Sequence, residues 1–373
     1  MKKLILGFCT LATILMVGCS KDSSNGEVPA GNAINFSTYL GRDVQVRSGI
    51  LDDNSLSDFG VFASYTQQDD WTDASGFNFM FNQFVKKVGD AWNYTPKKYW
   101  PTKQGEKISF WAYAPYASDK AIAVKSLKEY TGLPQIKYTI SDVTTAEDFT
   151  AATLMNEVKT SSVNPDGSSC SVTFALKHEL TRVNIKAKLD KVVDAATKVN
   201  IKSIEFNGDD LATSGTYTFS DENVERGSWT LDTKGTISVD PLMEKVSTDL
   251  GGYVEAGVRL SDATAVSVFG ENKYLFLIPS GGETGTAAAG KIKVKITYDI
   301  VTVDRALKDG HSVSTAIKEI ELPAGTLKQG KAYLYTLTFY TNEIVLSASV
   351  EGWGAEVGAD DNVDWNDVDI PTV

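Results

Sequence analysis

The stretch KIKVKITYDI, residues 291–300, alternates Ile292, Val294, Ile296, Tyr298 and Ile300 with Lys291, Lys293, Lys295, Thr297 and Asp299. A period of two sets one face on a core and the other in water, which is the pattern of a half-buried strand and not of a helix. The same period runs through Val61, Ala63 and Tyr65, through Ile108, Phe110, Ala112 and Ala114, and through Tyr333, Tyr335, Leu337 and Phe339. In FWAYA both phases are large or apolar: Trp111 and Tyr113 share one, Phe110 and Ala112 the other, so that strand is expected to be covered on both faces. Helical candidates are confined to EDFTAATLMNEV, 147–158, and a short turn near 190–197. The chain therefore reads as all-β, in antiparallel sandwiches.

Turn residues cluster in TSSVNPDGSS, 160–169, between two strand-rich halves, and the residues after Gly18 suffice for two domains with separate cores. No repeat of 20 to 50 residues points to a solenoid or propeller. The start of the chain is different in kind. Lys2 and Lys3 precede an apolar run from Leu4 to Val17 that ends at Gly18 and Cys19. At about 14 residues the run is shorter than the roughly 20 that cross a bilayer as a helix, so it reads as a signal peptide. Small residues leading to a cysteine, with no Ala-x-Ala cleavage site, look like the lipobox of bacterial lipoproteins, which makes Cys19 the lipid attachment site. SKDSSNGEVPAGNA, 20–33, has the composition of a flexible tether. The expected layout is a signal peptide at 1–18, the tether at 19–33, an N-terminal β-sandwich domain at 34–165, and a C-terminal one at 166–373 that ends in an acidic tail.

Charge excludes one class of partner. The formal net charge is −12, and loss of Lys2 and Lys3 with the signal makes it −14. Such a body has no means of binding nucleic acid through counterion release, and it stands off from an anionic membrane surface.

The residues offer little chemistry. GTAAAGKI, 285–292, matches a phosphate loop in Gly285, Gly290 and Lys291, but Ile292 stands where a hydroxyl must hold magnesium, and a strand follows instead of a helix. The two histidines are His178, in phase with Val172, Phe174, Leu176 and Leu180 and so expected to point inward, and His311, expected in a loop. Cys9 leaves with the signal, and Cys170 reads as a small buried residue with no activating neighbour in sequence. Asp360, Asn362 and Asp364 have the flavour of a calcium loop without its turn glycine or closing Glu. Trp71, Trp92, Trp100 and Trp111, interleaved with Tyr94, Tyr99, Tyr113 and Tyr116, are read first as core and second as a sugar-stacking platform. No catalytic residue, cofactor or metal site is predicted.

INFST, VQVRSG, DFGVFASY, FMFNQFV, WNYTPKKYWP and ISFWAYAPY, in that order behind a lipobox, resemble the fimbrillin family, the subunits of type V pili of anaerobic Gram-negative bacteria. TFALKHELTRVNI, YLFLIPSG, LKQGKAYLYTLTF and IVLSASVEGWG are similar to that family's C-terminal domain. The resemblance implies two transthyretin-like β-sandwich domains, export as an outer membrane lipoprotein, a cell-surface location in a pilus that supports adhesion, and no enzyme activity. It implies other copies or related pilus subunits as partners, and a processing protease that cuts after an arginine following the first strand. Arg47 fits that position best and Arg42 second, and the strand donated between subunits is expected within 340–373. Two other functions stand behind this one: a surface lipoprotein that binds glycan at the Trp71–Tyr116 aromatics for nutrient uptake, and a carboxylate-based glycosidase. The lipobox reading predicts that mass spectrometry of the outer-membrane fraction finds lipid on Cys19 and that Cys19→Ser leaves the protein soluble or unprocessed; an unmodified Cys19 in that fraction refutes it.

Overall fold

The computed structural model describes residues 33–40, 51–117, 122–124, 131–140, 147–159, 171–191, 196–223, 225–239, 257–260, 263–269, 274–280, 292–322, 327–340, 344–352 and 363–364. All regular structure among them is β. The first body is organised by a six-stranded antiparallel sheet in the order β10 (Lys177–His178), β8 (Thr150–Val158), β5 (Lys107–Ala114), β2 (Asp58–Gln67), β3 (Met80–Val88) and β4 (Ala91–Asn93). Its two central strands are buried on both faces. Phe59, Val61, Ala63, Phe110 and Ala112 enter one core, and Phe62, Trp111 and Tyr113 enter another on the opposite side. The doubled apolar phase of FWAYA is thereby accounted for: strands with no solvent face must be covered twice.

A parallel pair, β1 (Asn35–Tyr39) with β9 (Ser171–Ala175), covers the first face. A four-stranded sheet in the order β14 (Ser228–Lys234), β13 (Ala212–Thr218), β7 (Gln135–Thr139) and β6 (Ile122–Val124) contributes Tyr217, Tyr138, Ile136 and Ile122 to the core on the second. Packing there is close enough to require a glycine. The Tyr113 ring lies across Gly60, its cross-strand partner, so that an added Cβ would fall 2.2 Å from the ring. The ring has no room to retreat, because Tyr113 Oη donates to Asn82 Oδ1 at 2.6 Å and accepts from the Ala117 amide at 3.2 Å.

The second body is a sandwich of two sheets. One runs β17 (Val266–Ser267), β11 (Thr181–Leu189), β21 (Lys331–Phe339), β22 (Ile344–Gly352) and β23 (Val363–Asp364), with β18 (Leu275–Leu277) also on β11 and the β11–β21 pair parallel. The other runs β15 (Ile237–Val239), β12 (Thr197–Asn207), β19 (Lys293–Val303) and β20 (His311–Glu321), with β16 (Val258–Leu260) also on β12. Alternate residues interleave between them: Val183, Ile185 and Ala187 of β11 and Tyr333, Tyr335 and Leu337 of β21 meet Ile201 and Ile204 of β12 and Val294 and Ile296 of β19. The alternation read in 291–300 holds to Ile296 and then fails, because Asp299 is 1% exposed. A register shift between Ile201 and Ser203 leaves Lys202 as an extra residue in β12. The Lys202 ammonium lies 3.1 Å from the Asp299 carboxylate, which also accepts from Thr315 Oγ1 at 2.6 Å.

Three other expectations are corrected. Residues 150–158 of the expected helix form β8, in which Ala151, Thr153 and Met155 are buried with period two; pairing with β5 and β10 overrides a sequence that contains no helix breaker. Most of the turn expected near 190–197 lies outside the described residues, and Thr197 opens β12. His311 is the first residue of β20 and not a loop residue. The partition at 165/166 does not follow the packing either. It would assign β9 and β10 to the second domain, yet Val172, Phe174 and Leu176 fill the first body's core, and β7 pairs with β13 across the same line.

The chain first passes between the bodies at the link His178–Glu179–Leu180 between β10 and β11, and this link is held from both sides. Trp229 Nε1 donates to Glu179 O at 2.8 Å, Gly330 N donates to Leu180 O at 3.0 Å, and Arg226 donates to His178 O. The buried Glu179 carboxylate pairs with Arg226 at 3.2 Å and accepts a hydrogen bond from Gln329. Burial pushes its pKa up to about 7, against the pull of Arg226 and Gln329 in the other direction. A raised carboxyl pKa means that the fold holds a proton the unfolded chain releases, so the group's stabilisation is complete below its ordinary 4.5 and is lost as pH rises through about 7. Urea unfolding measured across that window is expected to show stability falling with pH, and Glu179→Gln is expected to flatten the fall.

Candidate functional site

The first strand joins the fold through one ladder. Among the described strands β1 pairs with β9 alone, in the register Asn35↔Ser171 to Tyr39↔Ala175. Its inward residues are nevertheless part of the core: Ile34 is 0%, Phe36 5% and Leu40 9% exposed. The Phe36 ring is central, with ring centroids at 5.2 Å from Tyr94, 5.6 Å from Phe174, 6.0 Å from Phe59 and 6.3 Å from Phe110. On the other phase Ser37 Oγ lies 2.9 Å from Ser171 Oγ and 2.7 Å from Thr173 Oγ1, which fixes the parallel register from outside.

The second edge of β1 faces a groove of about 490 Å³, with Asn35, Phe36, Ser37 and Thr38 on one side and Ala91, Trp92 and Asn93 of β4 on the other. β4 ends the six-stranded sheet, so two strand ends meet this groove with no ladder between them. The strand's own ends are fastened more tightly. Ile34 N donates to Lys98 O at 2.9 Å, Tyr94 Oη donates to Ile34 O at 2.8 Å, and Leu176 N donates to Tyr39 O at 2.8 Å.

Two carboxylates flank the chain that leads out of β1. Leu40 N donates to Asp53 Oδ1 at 2.9 Å, and Leu51 N donates to Asp148 Oδ2 at 3.1 Å. Asp148 is itself buried and lies 2.7 Å from His178 Nδ1, which is the inward structural hydrogen bond expected of His178. The clamps thus hold the residues on either side of 41–50. Arg42 and Arg47 fall within that segment and, like Cys19 and Cys170, lie outside the described residues. So do Asp360 and Asn362 of the acidic tail and Gly285, Gly290 and Lys291, whereas Ile292 is buried at the start of β19. Neither clamp was visible in the sequence, where Asp53 and Asp148 are two acids among many.

The aromatic segment is core. Trp71, Trp100 and Trp111 are buried with Tyr94 and Tyr113, and Trp92 and Tyr116 are half-buried; Tyr99 is the exposed member. Three of the four tryptophans are therefore unavailable as a stacking platform. Among the described residues no cluster of His, Cys, Asp and Glu is arranged to hold a metal ion, and no helix is long and apolar enough to cross a membrane.

Comparison with known proteins gives a consistent result. The model of the family described as fimbrillin-like matches residues 52–353. The fimbrium subunit Fim1C of Phocaeicola vulgatus is 28% identical over 375 aligned positions, covering 95% of this chain and 97% of that protein. The crystal structure of a fimbrial protein from Bacteroides vulgatus superimposes with a TM-score of 0.71 at 27% identity, covering 86% of this chain and 99% of that one.

Phe36 is the residue through which β1 is bound to the fold. Replacement of a buried Phe by Ala typically costs about 3–5 kcal/mol. Phe36→Ala is expected to lower the unfolding free energy measured in urea by an amount in that range and to speed amide exchange at Val172 and Phe174; unchanged exchange there shows that β1 is not held by its ring.

Proposed function

This chain belongs to the fimbrillin-like family, and from that membership we propose that it is exported as a lipoprotein on Cys19 and built into a type V pilus by removal of its first strand and strand exchange between subunits. It is a structural protein of a cell-surface fimbria, with other pilus subunits as partners, and not an enzyme. The carrying observation is the combination found at β1. The strand and its flanks bury Ile34, Phe36 and Leu40, pair with β9 alone among the described strands, and lead into the rest of the chain through 41–50, the segment that contains both candidate arginines.

A protease with Arg specificity acting after Arg47, or after Arg42, would convert β1 from a covalently tethered element into a bound peptide. Three buried apolar side chains at roughly 1.5–3 kcal/mol each hold that peptide in place, so it does not simply fall away. It has to be displaced by a segment that fills the same positions. Release also cuts the lipid tether, since Cys19 lies on the removed side. The slot left behind exposes apolar core and unpaired backbone groups along β9, which is the template for β-augmentation by a neighbouring chain.

The donor expected within 340–373 narrows accordingly. β22 pairs with β21 from Ile344↔Phe339 to Gly352↔Lys331, and Ile344 and Leu346 are buried in their own sandwich, so residues after Gly352 are the candidates. Val363 is already paired to Val350 in β23, and beyond it Trp365, Val368 and Ile370 supply apolar side chains without a single Lys or Arg. Processing by a trypsin-type protease is expected to give a mature N-terminus at Ser48 and polymers that survive mild detergent. Both should disappear in Arg47→Ala, and the polymers should disappear on deletion of 354–373. Polymers that form normally from chains still carrying Cys19 and Ile34 exclude this mechanism.

A further inference from the structure

The free edge of the β12–β19–β20 sheet presents a different opportunity. β20 is an eleven-residue edge strand, bonded along its whole length to β19 and to no other described strand. Ser312, Val313, Ser314 and Thr315 are all exposed, so this half of the strand is open on both faces as well as along its outer edge. Val313 is 43% and Ile317 64% exposed, and they stand two positions either side of Thr315 on one face. Edge strands are ordinarily protected by charge, proline, a bulge or brevity. Here the charges Lys318, Glu319 and Glu321 gather at one end, and HSVSTAI, 311–317, has no Asp, Glu, Lys, Arg, Pro or Gly. A long, uncharged, β-branched edge is a strand awaiting a partner.

The residues specify which partner fits. We infer that β20 is a self-complementary edge through which two copies of this chain pair antiparallel about Thr315, joining their outer sheets into one. In that register Val313 of each copy stands opposite Ile317 of the other, twice over, and Ser314 opposite Ala316. His311 stands opposite Glu319, and Lys318 opposite Ser312, so within the paired residues 311–319 no like charges face each other. Apolar and opposite-charge cross-strand pairs stabilise an antiparallel ladder, and like charges directly opposite destabilise it. The neighbouring two-fold registers, centred on Ser314 or on Ala316, put Val313 opposite Thr315 or Glu319 and Ile317 opposite His311 or Thr315, with both Val–Ile pairs lost, so the register centred on Thr315 is the one the side chains favour. The contact is an isologous two-fold interface.

One pair of strands covers less than the roughly 1,200 Å² of a standard stable interface, so isolated chains should associate weakly. On a fibre the edge would repeat with each subunit and the pairings would reinforce one another, a step that rests on the pilus reading, whereas pairing of isolated chains does not.

Sedimentation equilibrium of the purified chain up to about 1 mM tests the inference. A concentration-dependent dimer is expected, weakened at least about tenfold by Ile317→Lys, a change at an exposed side chain that should leave the circular dichroism and thermal midpoint unchanged. Register is tested by cross-linking in chains whose native cysteines are serine. Thr315→Cys should couple to its own copy under mild oxidation, and Ser312→Cys, about 20 Å from its copy in this register, should not. A chain that stays monomeric throughout, a dimer indifferent to Ile317→Lys, or equal cross-linking from both positions overturns the inference. Strong exchange protection, in the monomer, of those β20 amides that point away from β19 also overturns it, because the edge is then occupied by the chain itself.

Discussion

The architecture follows from one constraint: β2 and β5 have no face that tolerates water. Phe110 and Ala112 need one cover and Trp111 and Tyr113 another, so the six-stranded sheet is stable only between two further layers. No local segment can supply both. The first cover pairs residues at the start of the chain with residues beyond 170, and the second pairs β7 with β13 from the other half. Trp111 Nε1 carries the same connection at the level of a single bond, donating at 3.0 Å to Ser220 O, well outside its own sheet. The first body is therefore assembled from segments of both halves of the chain.

That constraint also explains what the sequence revealed and what it concealed. Alternation in KIKVKITYDI and the doubled phase of FWAYA are properties of contiguous residues, and the faces they assign are those observed as far as Ile296 and throughout β5. The inward His178 was legible for the same reason. Residues 147–158 were misread because Ala, Leu, Met and Glu suit a helix equally well; only the neighbours β5 and β10 decide the matter, and they are not local. Asp299 was placed in water because its burial depends on one extra residue, Lys202, in a different strand. The turn cluster at 160–169 lies outside the described residues, and β9 beyond it packs with the first body.

For the candidate site the division is sharper. INFSTYL is recognisable as a strand and, through resemblance, as the first strand of a pilus subunit. Its parallel pairing with β9, the ring contacts of Phe36, and the carboxylates of Asp53 and Asp148 at either side of 41–50 are all products of contacts across long stretches of chain. A parallel pair has no turn chemistry to announce it, unlike a hairpin. The groove beside β4 is likewise an outcome of where two ladders stop.

The separation of β1 from β9 has a consequence in time. Ser37 and Thr173 touch across 136 positions of sequence. A chain that emerges N-terminus first produces β1 early and its partner late, and the loop that must close between them is among the longest in the first body. Throughout that interval the slot in front of Phe59 and Phe110 has no internal occupant, and of the first body's strands the earliest to appear waits longest for its partner. The nascent subunit thus passes through the same vacancy that maturation is proposed to create. A cell that makes many copies at once needs either a holding factor during export or a first strand kept close by its tether, and the few residues between Leu40 and Leu51 keep it close.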